Sequence, residues 1–340
     1  MAVFDNKHFN SEVFGKYLET VPRIKQNAFL RAGIFNIRDE LKTLLADQTG
    51  GNYVVLPMVG LIGGDAQNYD GKTTITPNSI DSYMQGIVAY GRANSWGEKD
   101  FTRDITGHDF MVDIAKQVSG YWDDNLQLNI LAVLEGIFGM TETDDAKFVE
   151  AHTLDITEAG EKTVGVTTLN NTIQKAAGAN KNIFSLVIAH SQVATNLENL
   201  QVLQYGKGVD ANGVEKDLTL ATWNGRTVLI DDDAPFDSDT GAYTTYILGR
   251  GAFDYCDIGA AVPNETTRDP FKYGGQDFLI SRQRKAIAPR GITYKQPTTQ
   301  TSPMPADFKT ASNWTLVENA EKTQKIDHKA IPIARIKSLG

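Results

Sequence analysis

The pattern of apolar positions places one long helix in the first half of the chain. Between Gly107 and Gly139 apolar residues recur at three- and four-residue steps, and Asp109 can cap the first turn. We predict a helix over residues 109–138, and a helix of about 28 residues is roughly 40 Å long. Its predicted core positions are Met111, Ile114, Val118, Trp122, Leu126, Ile130 and Leu134.

Two β-like stretches precede this helix. They are YVVLPMVGLIGG (Tyr53–Gly64) and KTTITPNSI (Lys72–Ile80), and Asp70-Gly71 between them is a favoured pair for a tight hairpin turn. A proline in each arm removes a ladder donor, so we expect edge strands of a projecting hairpin. Such a hairpin needs a neighbouring surface to cover it. The residues predicted to make that contact are Val55, Met58, Val59, Leu61, Ile62, Tyr69 and Lys72.

The first 50 residues predict an arm. They begin with widely spaced aromatic residues, too sparse to form a core alone, so we expect them to lie on another surface. A helical spacing follows at Ile34, Ile37, Leu41, Leu44 and Leu45.

Alternating α and β segments follow the long helix. We predict one helix over residues 169–177, ended by Gly178, and a second over 193–203, which Ser191 can cap. The predicted strands are Ser185–Ala189, Thr227–Ile230, Tyr243–Leu248 and several within 265–295. The proline-rich stretch 297–305 predicts an extended linker before a short tail.

Composition excludes several classes of protein. The chain is 41% hydrophobic and 22% charged, as globular proteins are, and no apolar run is long enough to span a membrane. A formal charge of −9 argues against coating nucleic acid, since phosphate neutralisation supplies most of that affinity. The single cysteine, Cys256, excludes an intrachain disulfide. The N-terminus lacks the features of a secretion signal, which predicts folding in a cytoplasm.

The sequence lacks the common motifs for catalysis. Gly71-Lys72-Thr73 resembles the end of a phosphate-binding loop, but Ala66 stands where that loop requires glycine. The five histidines lack metal-binding spacing, and Ser191 lacks the glycines of a nucleophile elbow. We therefore predict no enzymatic activity, no catalytic residues, no cofactor and no metal.

The order of arm, hairpin, long helix, α/β region, returning strands and tail resembles the HK97-like major capsid proteins of tailed bacteriophages. Several segments are also similar to that family in sequence. They are Gly91–Leu131, Val187–Leu197, Asn224–Phe236, Tyr243–Phe253 and Ser312–Gly340.

The resemblance implies an α+β capsid fold with six parts. These are an N-terminal arm (1–50), an extended hairpin loop (51–85), a peripheral domain (86–164) with a spine helix (109–138), an axial domain (165–265), returning peripheral strands (266–296) and a C-terminal extension (297–340).

The resemblance also implies a function. Copies of the chain would assemble in the host cytoplasm into pentameric and hexameric capsomers of an icosahedral head that encloses double-stranded DNA without specific binding. Scaffolding and portal proteins are the other expected partners, and the sequence does not decide whether decoration proteins also bind. Some relatives form Lys–Asn cross-links near the position of Lys72, but exposed loop lysines are common and no cross-link is predicted. The alternatives are an encapsulin-like nanocompartment shell and a soluble α/β enzyme of unknown activity.

Overall fold

The structure, a computed structural model, describes residues 24–46, 52–60, 65–74, 77, 82–106, 110–209, 215–272, 274–296, 301–319 and 321–340. Its helices are α1 (Ile24–Arg31), α2 (Asp39–Ala46), α3 (Asp100–Thr106), α4 (Phe110–Ile137), α5 (Thr143–Ala151), α6 (Thr168–Ala177), α7 (Ser191–Asn199) and α8 (Pro305–Lys309). Short 3-10 turns lie at Lys181–Ile183, Ala311–Asn313 and His328–Ala330.

The strands up to the middle of the chain are β1 (Phe35–Ile37), β2 (Tyr53–Val59), β3 (Ser82–Lys99), β4 (Thr153–Asp155), β5 (Phe184–Ala189), β6 (Leu203–Val209), β7 (Glu215–Trp223) and β8 (Arg226–Ile230). Those that follow are β9 (Phe236–Asp237), β10 (Ala242–Gly249), β11 (Phe253–Asp257), β12 (Asn264–Asp269), β13 (Gln276–Pro289), β14 (Ile292–Tyr294), β15 (Trp314–Leu316), β16 (Glu318–Asn319) and β17 (Ile333–Ser338).

One sheet carries the hairpin. Within the described residues its strand order is β1-β11-β13-β3-β16, with β12 paired to β13 and β2 paired to β3. The long strands β3 and β13 run antiparallel from the Gln276–Lys99 pair to the Ala286–Ala89 pair. Strand β1 joins parallel to β11, with Phe35 opposite Phe253. Part of the predicted arm therefore belongs to this sheet.

The second sheet has the order β4-β17-β10-β5-β8-β7-β6, with β9 beside β10, in the part of the chain that is described. Helices α6 and α7 pack on it through buried residues such as Leu169, Ile173, Val193 and Leu197. The last strand, β17, pairs antiparallel with β10, and Leu248 lies opposite Ile333. Strand β17, from the predicted C-terminal extension (297–340), thus joins the second sheet. Strand β11, from the predicted axial range (165–265), joins the first sheet.

The long helix α4 is close to its predicted span. Its N-terminal half packs over the first sheet, where Met111, Val118 and Trp122 meet Leu279. Its C-terminal half lies in the largest core cluster, which includes residues of both sheets such as Ile188 and Ile287. The helix therefore joins the two sheets mechanically, because each half is buried against a different set of strands.

Other local predictions had mixed outcomes. The strands predicted at 185–189, 227–230 and 243–248 and the helix ended by Gly178 are present. The helix predicted through Ile34 and Ile37 is wrong, because these residues lie before and within β1, and α2 begins at Asp39. The second predicted helix extends too far at its C-terminal end, because the observed helix ends at Asn199 and Leu203 begins β6. Its cap is His190, whose side chain accepts a hydrogen bond from the Gln192 backbone N–H.

Three features of the described residues concern membranes and chemistry. No helix within the described residues is both long and apolar enough to cross a bilayer. In the same residues no group of three or more His, Cys, Asp or Glu side chains could hold a metal ion. The thiol of Cys256 is buried, which raises its pKa.

A buried histidine connects the C-terminal tail to helix α5. His152 Nδ1 lies 2.6 Å from the Ile333 carbonyl oxygen, which can only accept, so Nδ1 carries the proton. Its Nε2 lies 3.2 Å from Nδ1 of His328. Burial lowers the pKa of His152 to about 4 from the ordinary value of 6.5.

We expect His152 to make the fold sensitive to mild acid. As the pH falls from 6.5, the unfolded chain binds a proton that the folded chain does not bind until about pH 4. The neutral imidazole therefore makes its full contribution to the free energy of unfolding above pH 6.5, and this contribution is lost as the pH falls towards 4. The loss should be about 2 kcal/mol near pH 5. Urea unfolding of the wild type and of His152→Asn at neutral pH and near pH 5 measures it.

The matched control is a second histidine that does not contact Ile333. In His190→Asn the ring that is removed accepts a hydrogen bond from the Gln192 backbone, and His152→Asn should lose most of the pH dependence that this control shows. An equal pH dependence in all three proteins would show that His152 is not the group responsible.

Candidate assembly surface

An antiparallel ladder of β2 and the first part of β3 lies in the region of the predicted hairpin. Tyr53 lies opposite Val88 and Val59 opposite Ser82 in an antiparallel register. Because side chains alternate across a strand, the hairpin has two distinct faces. The outer face consists of Val55, Pro57 and Val59 on β2 and Met84 on β3.

The outer face is apolar and exposed to solvent. The exposed fraction is 48% for Val55, 80% for Val59 and 53% for Met84. These residues are adjacent in the ladder, since Pro57 is opposite Met84 and the two valines flank Pro57. In the described residues β2 has β3 as its strand partner, so β2 is an edge strand, as its proline requires. A contiguous apolar patch at an edge is typical of an interaction surface.

The inner face is fixed to the body of the protein. Val54, Leu56 and Ile87 are buried in one cluster with Leu41 and Leu45 of helix α2. Helix α2 therefore covers the base of the hairpin. This packing leaves the outer face as the side available for contact.

A close approach inside the hairpin base adds rigidity. Gly86 lies under the ring of Tyr53, where any side chain would collide with the phenol. The Tyr53 hydroxyl donates to the Tyr294 carbonyl at 3.1 Å. On the other face Gln85 is buried and its amide donates to the carbonyls of Pro289 and Ile292. These bonds hold the first part of β3 against β14 and against the turn that joins β13 to β14.

The hairpin tip is organised by one carboxylate. Asp70 accepts hydrogen bonds from the backbone N–H groups of Lys72 and Thr73, at 2.8 and 2.7 Å, and from the Thr73 hydroxyl. These bonds lower the pKa of Asp70 to about 2. Tyr69 beside it is 91% exposed. The tip thus presents an aromatic side chain on an ordered turn.

The seven predicted contact residues have different positions. Val55, Val59, Tyr69 and Lys72 are exposed. Met58 is half-buried and alternates towards the inner side. Leu61 and Ile62 lie outside the described residues.

The returning arm was predicted in the wrong place. The ladder with β2 begins at Ser82, and the described residues within 72–80 form no strand. The Asp70-Gly71 pair is a turn within the tip and does not join the two arms directly. Met84 was not among the predicted contact residues, because a returning strand that begins at residue 72 would not place Met84 opposite Pro57.

The predicted core positions of the long helix are buried, apart from Ile114, which is half-buried. Trp122 fixes the helix to the sheet below, because its indole N–H donates to the Ser281 hydroxyl at 2.9 Å. That hydroxyl in turn donates to Asn264 Oδ1 at 2.9 Å. The helix, β13 and β12 are therefore connected by buried hydrogen bonds beneath the long strands.

A second exposed apolar group lies at the far end of the long strands. Phe101 and Ile105 of α3 are 64% and 69% exposed, and Phe271 in the β12–β13 turn is 95% exposed. Arg268 holds these segments together through ion pairs with Asp100 and Asp277. The sequence prediction missed this group, although the Asp269-Pro270-Phe271 turn is a visible signal of an exposed aromatic.

The chain is similar in sequence to the major capsid protein of Bacillus phage SPP1, with 25% identity over 323 residues, 94% of this chain and 95% of that protein. It is also similar in structure to the capsid of Ralstonia phage GP4, with a TM-score of 0.55 and 13% identity over 76% of this chain and 84% of the other. The head structure of Helicobacter pylori bacteriophage KHP40 matches with a TM-score of 0.51 and 9% identity, over 90% and 87% of the two chains. No family model matches the chain.

The chain is similar over nearly its whole length to a phage major capsid protein, and its fold is that of solved phage capsids. The predicted resemblance to the HK97-like capsid proteins and the predicted capsid function are confirmed. The similarity supports a structural role in a virion shell, and neither alternative function is favoured.

Proposed function

We propose that copies of this chain assemble into pentameric and hexameric capsomers of an icosahedral phage head, with the hairpin of each copy lying over a neighbour. The observation that supports this most directly is the outer face, which is apolar and exposed while the inner face is fixed to the body. An apolar contact of about 300 Å² contributes roughly 7 kcal/mol before the entropic cost of association. Many weak contacts of this kind stabilise a closed shell through avidity.

The long helix and the two apolar ends would have complementary roles. Helix α4 packs on the first sheet. This sheet has the outer face at one end, on β2 and the start of β3, and the exposed Phe101, Ile105 and Phe271 at the other. A subunit with apolar contacts at both ends of a rigid sheet can meet different neighbours at each end. Repetition of such contacts around an axis closes a ring.

The proposal also includes packaged DNA, for which the net charge is relevant, and the assembly proteins that the resemblance to phage capsids implies. The net charge of −9 favours weak, non-specific contact with packaged double-stranded DNA, because like charges repel at the inner wall. A scaffolding protein and a portal protein would direct assembly in the host cytoplasm, and decoration proteins could bind the finished surface. The chain would have no catalytic role and no cofactor in this process.

Negative-stain electron microscopy of the purified protein tests the proposal. We expect rings or closed shells, and a concentration-dependent increase in mass by light scattering. A protein that stays monomeric at high concentration, with its hairpin protected from hydrogen exchange by its own body, would contradict the proposal. Shells that enclose a cargo enzyme in place of DNA would favour the nanocompartment alternative.

A further inference from the structure

Two adjoining cavities lie where helix α1, the start of β5 and the β7–β8 turn meet. The first has a volume of about 310 Å³ and its lining includes Arg31, Arg226 and Arg250. The second, of about 300 Å³, shares Asn182 and Arg250 with the first. We call the pair of cavities the arginine pocket.

The fold brings the three arginines together from distant parts of the chain. Arg31 ends α1, Arg226 begins β8 and Arg250 follows β10. The backbone N–H of Arg250 donates to the Ile183 carbonyl at 2.8 Å, which fixes this loop beside β5. Asn224 and Gly225 form the tight turn before Arg226, with φ of 49° and 78°. Each arginine is therefore positioned by a regular element or a tight turn.

Arg226 is held in place without a negative charge. Its Nη1 donates to the Asn224 carbonyl at 3.0 Å and its Nη2 to the Lys181 carbonyl at 3.1 Å. Its Nε is buried and has no hydrogen-bond partner within the described part of the chain. Burial also lowers the pKa of Arg226, as expected for a cation without a counter-ion.

The lining of the arginine pocket contains no aspartate or glutamate. In the residues that the structure describes, Arg31, Arg226 and Arg250 form no ion pair with a carboxylate. Other arginines of this chain do, since Arg38 pairs with Asp254 and Arg282 pairs with Glu265. Arg31 and Arg250 are exposed, so an anion from outside can reach the pocket.

We propose that the arginine pocket binds a carboxylate side chain from a second copy of the chain. This inference rests on the proposed assembly into shells. The chain carries 42 acidic and 33 basic residues, so a neighbouring copy presents an excess of carboxylates. A guanidinium group binds a carboxylate in a planar, two-bond geometry, and arginine is preferred over lysine for such contacts.

A nucleic acid fits the pocket less well. Binding to a phosphate backbone uses basic residues spread along a groove, with one contact for each of many phosphates. Here the three arginines line one cavity of about 310 Å³, in a chain with a net charge of −9. This arrangement suits a single oxyanion.

The test compares shell assembly of Arg250→Gln and of Arg31→Gln/Arg250→Gln with the wild type. We expect the protein concentration required for shell formation to rise about tenfold in the double variant. Light scattering measures this concentration. Raising the salt concentration should weaken assembly of the wild type more than that of the variant. The control is Lys329→Gln, which removes an exposed positive charge elsewhere and should assemble normally. Arg250→Lys, which keeps the charge but loses the planar geometry, should be intermediate.

The outcomes separate the inference from the proposed function. If the wild type forms shells and both pocket variants assemble like Lys329→Gln, the inference is overturned and the capsid function stands. If the wild type forms no shells, the proposed function fails and the inference fails with it. Normal assembly combined with weaker DNA binding in a gel-shift assay would assign the pocket to phosphate and overturn the inference. If thermal melting shows that the double variant is unfolded, Arg250→Lys alone decides.

Discussion

Shell formation should be lost when the outer face of the hairpin is made acidic. In the variant Val55→Asp/Val59→Asp, two exposed valines become charged, so we expect the isolated subunit to keep its stability within about 0.5 kcal/mol. In a shell the same carboxylates would be buried against a neighbour without a partner, at a cost of several kcal/mol for each contact. Because every subunit would make this contact in the proposed shell, we expect no shells at concentrations about a hundredfold above the wild-type threshold. Electron microscopy and light scattering measure the result.

The matched control is Val166→Asp, the same change at a valine that is 57% exposed on another part of the surface. It should form shells, whereas the hairpin variant should not. Replacement of residues 60–75 by a short Gly-Ser link is a second, independent test, and it should also give folded subunits without shells. Normal particles from both hairpin variants would show that the outer face is not an assembly contact.

The long helix and the central strands could be predicted because their signals are local. A 28-residue helix with apolar residues at regular steps is unambiguous. A short apolar run such as the one at 185–189, with two β-branched residues and the polar His190 and Ser191 after it, is also clear. Neither signal requires knowledge of what packs against the element.

The hairpin register could not be predicted because a distant contact determines it. Asp70-Gly71 is a strong local turn signal, and it misled the placement of the returning strand. The true register follows from packing of Val54 and Ile87 against helix α2, and from the fit of Gly86 under Tyr53. A shift of one residue would turn the apolar set to the other face, so this packing fixes the register.

The same limit applies to surfaces built from several parts of the chain. Strand β1 pairs with β11, about two hundred positions later, so Ile37 could be read as part of a helix. The arginine pocket joins residues 31, 226 and 250, and no spacing in the sequence indicates that they meet. Only the fold shows that the acidic chain contains a site with concentrated positive charge.

Two glycines of the long helix should respond in opposite directions to the same substitution. Gly136 is buried, and a Cβ there would overlap the Phe308 carbonyl oxygen and crowd Trp314 Nε1. These two atoms already form a hydrogen bond of 2.7 Å, so neither can move without breaking it. We expect Gly136→Ala to lower the free energy of unfolding by at least about 2 kcal/mol, although alanine is the better helix former. Urea unfolding, followed by circular dichroism, measures the change.

Gly120 on the same helix provides the control, because a Cβ there would meet no atom within 4 Å. Gly120→Ala should raise the free energy of unfolding by about 1 kcal/mol, since only the helix propensity changes. The difference of about 3 kcal/mol between two identical substitutions isolates the packing of α4 against Phe308 and Trp314. That packing fastens the segment after the proline-rich stretch to the long helix. Equal effects at both glycines would mean that this segment does not rest on the helix.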